Sequence, residues 1–252
     1  MVRLMDLTKV YRKFKAVDHL NLDVPPGRVF GFLGPNGAGK TTTIRMMAGV
    51  LKPTSGRIEL NGYDLATQPS EAKRAVGFIP DRPFLYEKLT GMEFLRFIGG
   101  LYRLNHGDSP DQRALELLEL FELMEWRDEL IESYSHGMKQ RLVMCSALLH
   151  EPRVIVVDEP MVGLDPRAAR LVKDIFRQQA KTGTTVFMST HSLDVAQEVC
   201  EEIAIIQSGR IIARGTADEL QSMAGVDGNL ENTFLKLTEE TSSTYEGPDS
   251  PA

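Results

Sequence analysis

The run Gly34-Pro35-Asn36-Gly37-Ala38-Gly39-Lys40-Thr41 has the spacing G-x-x-x-x-G-K-[ST] and follows directly on an apolar stretch. That spacing suits the gripping of phosphate groups. Glycines let the backbone curl until successive N–H groups point at one set of oxygens, and a helix opening at Lys40 adds the partial positive charge of its N-terminus. Lys40 supplies a full charge against the terminal phosphates, and Thr41, with Thr42 beside it, offers a hard oxygen ligand for Mg²⁺. A glycine-rich turn without a ligand is the alternative, and the strand and helix on either side count against it. The second group is Asp158-Glu159, which closes the apolar run Val154-Ile155-Val156-Val157. Carboxylates at the end of a buried strand can divide the work: Asp158 holds Mg²⁺, and Glu159 orients and polarises a water that attacks a γ-phosphate. As an isolated pair they would read equally well as solvated strand-end acids.

Groups of this kind need strand ends to carry them. Val29-Phe30-Gly31-Phe32-Leu33 is apolar throughout, as a strand covered on both faces would be, and it leads into the glycine-rich loop and a helix predicted from Lys40 to about Val50. Val154 to Val157 is a second such strand and Thr185 to Ser189 a third, with a predicted helix from Arg167 to Lys181 between them. Before this core, Val2 to Val24 alternates apolar and polar residues like a half-exposed antiparallel sheet, and Gly56 to Gly62 reads as a hairpin arm. A strand at Val76 to Ile79 is closed by Pro80. Two helical segments are expected between Gly91 and Met124, broken at Asn105 to Pro110, and a further helix from about Gly137 to Leu149. This block has the look of a lobe inserted between core strands. Ile203 to Ile206 and Arg210 to Ala213 form a hairpin, helices follow near Asp218 to Met223 and Glu231 to Leu237, and disorder is expected from Thr238 onward.

With 252 residues, 42% of them hydrophobic, one main domain is the expectation. A formal net charge of -6 and the absence of a basic stripe argue against nucleic acid as a partner. Cys145 and Cys200 are too few for a disulfide framework and lack zinc spacing. No apolar stretch approaches the roughly 18 residues of a membrane span, and the N-terminus has no signal-like apolar core, so the chain is expected to be neither secreted nor membrane-spanning by itself.

The glycine-rich loop, VIVVDEP at 154 to 160, GLDP at 163 to 166, His191 after a strand and YSHGMKQR at 134 to 141 together resemble an ABC ATPase nucleotide-binding domain, over roughly residues 2 to 220. The resemblance implies an α/β P-loop core with an antiparallel β subdomain and an inserted helical subdomain at about 82–150, in a domain spanning 1–237. It implies ATP and Mg²⁺ as ligands, with Gly34 to Thr42 around the phosphates and Tyr11 stacked on adenine. Lys40, Glu159 and His191 would be the catalytic residues, and Thr41, Asp158 and Asp81 the metal-facing ones. The family's signature segment, usually LSGGQ, donates to ATP held by the opposite subunit. Here it is Tyr134-Ser135-His136-Gly137-Met138, matching at Ser135 and Gly137 and departing at the other three positions. Ser135 also reads simply as a helix N-cap, as does Asp165 in the loop that would cross the dimer interface.

Further implications concern partners. A second nucleotide-binding subunit, identical or merely similar, would close around two ATP molecules, and a separate transmembrane permease would receive the motion at the cytoplasmic face of the membrane. Phe84, Leu85 and Tyr86 with Phe94, Leu95, Phe97 and Ile98 fall where family members form the groove for a cytoplasmic helix of that permease, although such spacings also suit plain core. GMKQR after Ser135 together with IPDRP around Asp81 looks like the exporter branch that handles drugs, lipids, polysaccharides or ions. Two other readings stay open: a soluble ABC ATPase in a non-transport assembly role, and a non-catalytic regulatory ATP-binding module, against which Glu159 speaks. Asp81 departs from the family's usual Gln, and a carboxylate there would bind Mg²⁺ but repel the γ-phosphate. Asp81→Gln is therefore expected to keep ATP turnover within about tenfold of the parent in a steady-state assay, and complete loss of activity would refute this.

Overall fold

The structure, a computed structural model, describes residues 1–104, 110–225 and 230–243. The chain opens with β1 (Val2–Tyr11) and β2 (Phe14–Val24), enters the core as β3 (Val29–Leu33), passes through helix α1 (Lys40–Met47) and returns as β4 (Ser55–Leu60) and β5 (Tyr63–Asp64). Helix α2 (Pro69–Arg74) leads to β6 (Val76–Ile79). The inserted lobe is α3 (Gly91–Leu101), α4 (Pro110–Leu120) and α5 (His136–Leu148). Strand and helix then alternate as β7 (Val154–Asp158), α6 (Pro166–Lys181), β8 (Thr185–Thr190) and α7 (Leu193–Val199), before the hairpin β9 (Glu202–Gln207) and β10 (Arg210–Gly215) and the helices α8 (Ala217–Ala224) and α9 (Leu230–Ser243).

Two sheets result. One is antiparallel, in the order β2-β1-β4-β5, and the other runs β10-β9-β3-β8-β7-β6. In the second, β3 pairs in parallel with β8 and β9, and β7 with β6 and β8, so their C-terminal ends share one edge. Residues of β3, β7 and β8 are buried along their whole length, because alternate side chains serve two different cores. Phe30, Phe32, Val154, Val156 and Phe187 face α1 and the antiparallel sheet. Val29, Ile155, Val157, Val186 and Met188 face the helical lobe and α6. The lobe is thus packed onto the back of the same sheet whose front carries the N-terminal strands.

Several expectations need correction. Helix α1 stops at Met47 rather than Val50, since Gly49 adopts a left-handed conformation, φ 68°, that ends the helix. Helices α2 and α7 were not anticipated; they are only 6 and 7 residues long, too short for a periodic apolar face to stand out. The disorder expected from Thr238 onward does not hold for residues 238–243, because α9 continues to Ser243, with Thr238 Oγ1 donating to Phe234 O at 2.8 Å and its carbonyl accepting from Gln207 Nε2 at 3.0 Å. The remainder of the expected tail, 244–252, and most of the expected helix break, 105–109, lie outside the described residues.

The Phe187 ring centroid lies 5.5 Å from that of Phe30 and 5.3 Å from that of Phe32, at the middle of the front core. Phe187→Ala is expected to lower stability by about 3–5 kcal/mol, read as a fall in the urea midpoint with the slope unchanged.

Candidate functional site

Between Leu33 and Lys40 the chain has to leave a buried strand and start a helix in tight quarters. Gly39 caps α1 with φ 111°, and a Cβ on it would lie 2.4 Å from the carbonyl oxygen of Ala16. A Cβ on Gly34 would lie 2.3 Å from the carbonyl oxygen of Ile206. The loop is therefore wedged between β2 and β9, and only glycine fits at either contact. Lys40 is buried, and its ammonium donates to the carbonyls of Gly34 at 2.6 Å and Pro35 at 3.1 Å. Burial pushes the Lys40 pKa below the ordinary lysine value, while the nearby charges of Glu159 and Asp158 oppose that shift.

Asp158 ends β7 in register with Ser189 of β8, and its carboxylate accepts a hydrogen bond from the Ser189 hydroxyl. It is buried, so the serine fixes which oxygen remains available. Glu159 has left the strand and holds a left-handed backbone, φ 51°, with its N–H near both the carbonyl and the hydroxyl of Ser189, at 3.2 and 3.3 Å. A non-glycine residue in that region costs on the order of 1–2 kcal/mol, and here the strain turns the carboxylate off the strand. Glu159 Oε1 meets His191 Nδ1 at 2.9 Å.

These groups share one cleft of about 450 Å³, whose wall includes Tyr11, Asn36, Gly37, Gly39, Lys40, Thr41, Thr42, Asp81, Asp158, Glu159 and His191. Of the other expected loop residues, Gly34 and Pro35 serve Lys40 through their carbonyls, and Ala38 is buried beneath the loop. Ser135 and Gly137 are not part of the cleft wall. Ser135 caps α5, accepting from Met138 N at 3.3 Å, and Asp165 caps α6, accepting from Arg167 N and Ala168 N at 2.9 Å each. The imidazole of His136 fills the place where a side chain on Gly163 would begin: a Cβ there would lie 2.3 Å from His136 Cδ2. Sequence reasoning missed Ser189, Phe14 and Ala16, the last two also on the cleft wall. Strand pairing is what reveals them: Ser189 stands beside Asp158, and Phe14 directly opposite Tyr11. The cysteines stay out of the chemistry. Burial raises the Cys145 thiol far above its usual value and pushes Cys200 up to about 12.

The sequence model of the ABC transporter family matches residues 17–162. The chain is 42% identical over 219 residues to the daunorubicin/doxorubicin resistance ATP-binding protein DrrA of Streptomyces peucetius, which covers 87% of this chain and 66% of that protein. Its fold superposes on the solved structure of an ATP binding subunit of an ABC transporter with a TM-score of 0.88, at 33% identity over 94% of this chain and 99% of the other. It also matches the dimeric ATP-binding cassette MJ0796 in a post-hydrolysis state bound to ADP and Pi, with a TM-score of 0.78 at 25% identity, over 86% and 98% of the two chains. A glycine-rich loop of G-x-x-x-x-G-K-[ST] spacing, a strand-end carboxylate pair and a fold shared almost end to end with such a subunit lead to one assignment: the chain belongs to the ABC transporter family, as an ATP-binding subunit whose hydrolysis of ATP drives transport.

Proposed function

We propose that this cassette powers the export of drug-like or antibiotic molecules, hydrolysing Mg²⁺-bound ATP between two cassettes docked on a separate permease. The observation that carries the catalytic part is the convergence of Lys40, Asp158, Glu159 and His191 on one cleft. The export part is supported by the resistance function in the name of the DrrA relative.

Lys40 already spends its hydrogen bonds on neutral carbonyls, and an anionic phosphate oxygen is a stronger acceptor, with roughly twice the hydrogen-bond strength. Its charge would therefore pass from the loop to the terminal phosphates. Glu159 is placed to accept a proton from an attacking water, and His191 holds that carboxylate in one orientation through the 2.9 Å contact. With Nδ1 turned to Glu159, the Nε2 edge of the His191 ring is the one left to face a phosphate oxygen. Among the described residues no group of three or more His, Cys, Asp or Glu side chains could hold a metal alone. The donors fit Mg²⁺ all the same: Thr41, Asp158 and Asp81 offer hard oxygens on the cleft wall, the arrangement expected of a cation that completes its shell with phosphate oxygens and water. When bound, the cation neutralises charge on the phosphates.

The signature residues Ser135 and Gly137 stand outside the cleft, at the N-terminus of α5. Exposed N–H groups at such a terminus suit an anion, and the dimeric relative supports reading that anion as the ATP of a second copy or a similar chain. On the lobe, Phe84 is 81% exposed and Tyr86 51%, with the Tyr86 ring edge-on to Phe97 at 5.4 Å, whereas Phe94 and Leu95 are core. Ile98, next to Phe97 in α3, lines a groove of about 250 Å³ between α1 and the lobe together with Met47, Phe78 and Tyr102. Exposed aromatic anchors beside a groove are what an incoming helix requires, and they support docking of a cytoplasmic helix of the permease. Among the described residues no helix is long and apolar enough to cross a membrane, in keeping with a subunit held at the cytoplasmic face through that contact.

Glu159→Gln is expected to cut steady-state phosphate release by about 100-fold or more while ATP binding persists; release at the parent rate would overturn the role given to Glu159. Tyr86→Glu is expected to abolish co-purification with the permease from membranes and to leave ATP binding by the isolated chain intact, and unaltered co-purification would remove the docking assignment.

A further inference from the structure

Phe14 is an anomaly on an otherwise polar hairpin end. It belongs to none of the hydrophobic cores, is 63% exposed, and among the described residues makes no contact with another aromatic ring. It is nonetheless not on an outer face, since it lines the same cleft as Tyr11, Lys40 and Glu159. The β1–β2 hairpin explains how it gets there. Tyr11 and Phe14 are the last paired residues before the tight turn at Arg12 and Lys13, with Arg12 at φ 55°. Directly opposite residues of an antiparallel pair project from the same face, with Cβ atoms about 4.5–5.5 Å apart. Tyr11, 46% exposed, and Phe14 therefore both open onto the cleft from one face of the hairpin, without ring-to-ring contact. Tyr11 is further held by the ammonium of Lys9, which lies 5.2 Å from the ring centroid and is pinned by a 2.7 Å bond to Lys52 O.

We infer that Phe14 forms, together with Tyr11, a seat of two rings for the base of the nucleotide, so that adenine rests against both and not on Tyr11 alone. The inference rests on the cleft binding ATP and goes beyond it by assigning a base contact to Phe14. Two exposed rings on the wall of a narrow cleft, a short way from a phosphate-gripping loop, suit a flat aromatic ligand joined to a polyphosphate. The exposed apolar area of Phe14 is then removed from water only when the base arrives. Such a contact favours the base and is indifferent to the phosphates, and this separates it from a merely structural role.

The test compares binding of ATP with binding of inorganic tripolyphosphate, both with magnesium, by competition against a fluorescent nucleotide. Phe14→Ala is expected to weaken ATP about tenfold and to leave tripolyphosphate where the parent has it, while Phe14→Tyr, which keeps the ring, holds ATP within about twofold. Unchanged ATP affinity in Phe14→Ala would overturn the inference. So would an equal loss for ATP and tripolyphosphate, because it would mean that the residue shapes the loop and not the base site. A parent chain that binds neither ligand would sink the ATP reading itself and this inference along with it.

Discussion

Everything functional in this chain depends on how closely the Ala16 carbonyl approaches Gly39. No side chain fits in that gap, so the antiparallel sheet is set directly against the loop that opens α1. The joint is reinforced at the far side of the hairpin: Asp18 N donates to Gly209 O at 2.9 Å, and the Arg210 guanidinium clasps the Asp18 carboxylate at 2.9 and 2.6 Å. Both arginine nitrogens donate to the one oxygen Oδ2, while Lys15 Nζ takes Oδ1 at 3.1 Å, so the carboxylate is held from two sides. As a result, the hairpin end carrying Tyr11 and Phe14 and the loop carrying Lys40 belong to one rigid surface although they come from different sheets. A base and its phosphates need that fixed separation to be recognised together.

The second organising fact is the charge distribution under this surface. A buried lysine, a buried aspartate and a largely buried glutamate lie within mutual electrostatic reach at the edge of the parallel sheet. Opposite charges that stabilise one another in a low-dielectric setting are also the groups most affected by a new charge nearby. The strained backbone at Glu159 belongs to the same arrangement, since the next strand, through Ser189, holds both the aspartate and the glutamate N–H. The placement of these two carboxylates is a property of the β7–β8 register more than of any one loop.

Much of this was legible in the sequence, and the reason differs by region. The strands β3, β7 and β8 are apolar on both faces, a pattern that only a doubly covered sheet explains, and the loop after β3 has a spacing that few other chemistries need. The lobe was readable as helices but not as surfaces: Phe84, Tyr86 and Phe97 are exposed while Phe94 and Leu95 are core, a distinction that depends on which side of α3 meets the rest of the lobe. Ser189 and Phe14 escaped because their meaning lies in pairing across strands, Ser189 with Asp158 and Phe14 with Tyr11, and pairing register is not written in local composition. Short helices such as α2 and α7 carry too few turns to show a periodicity, and α9 outlasts the apolar pattern because Thr238 is tied back to its own helix and to β9.

The contact between His136 and Gly163 has an evolutionary side. Gly163 is held twice over: its φ of 78° favours glycine, and the imidazole of His136 lies where a β-carbon on it would begin. Replacing the ring with glycine, as the LSGGQ pattern has it, would remove the clash and leave the backbone constraint at Gly163 in place. The loop after Glu159 therefore keeps its glycine whichever residue stands at position 136, and the imidazole is the partner of the two that can change.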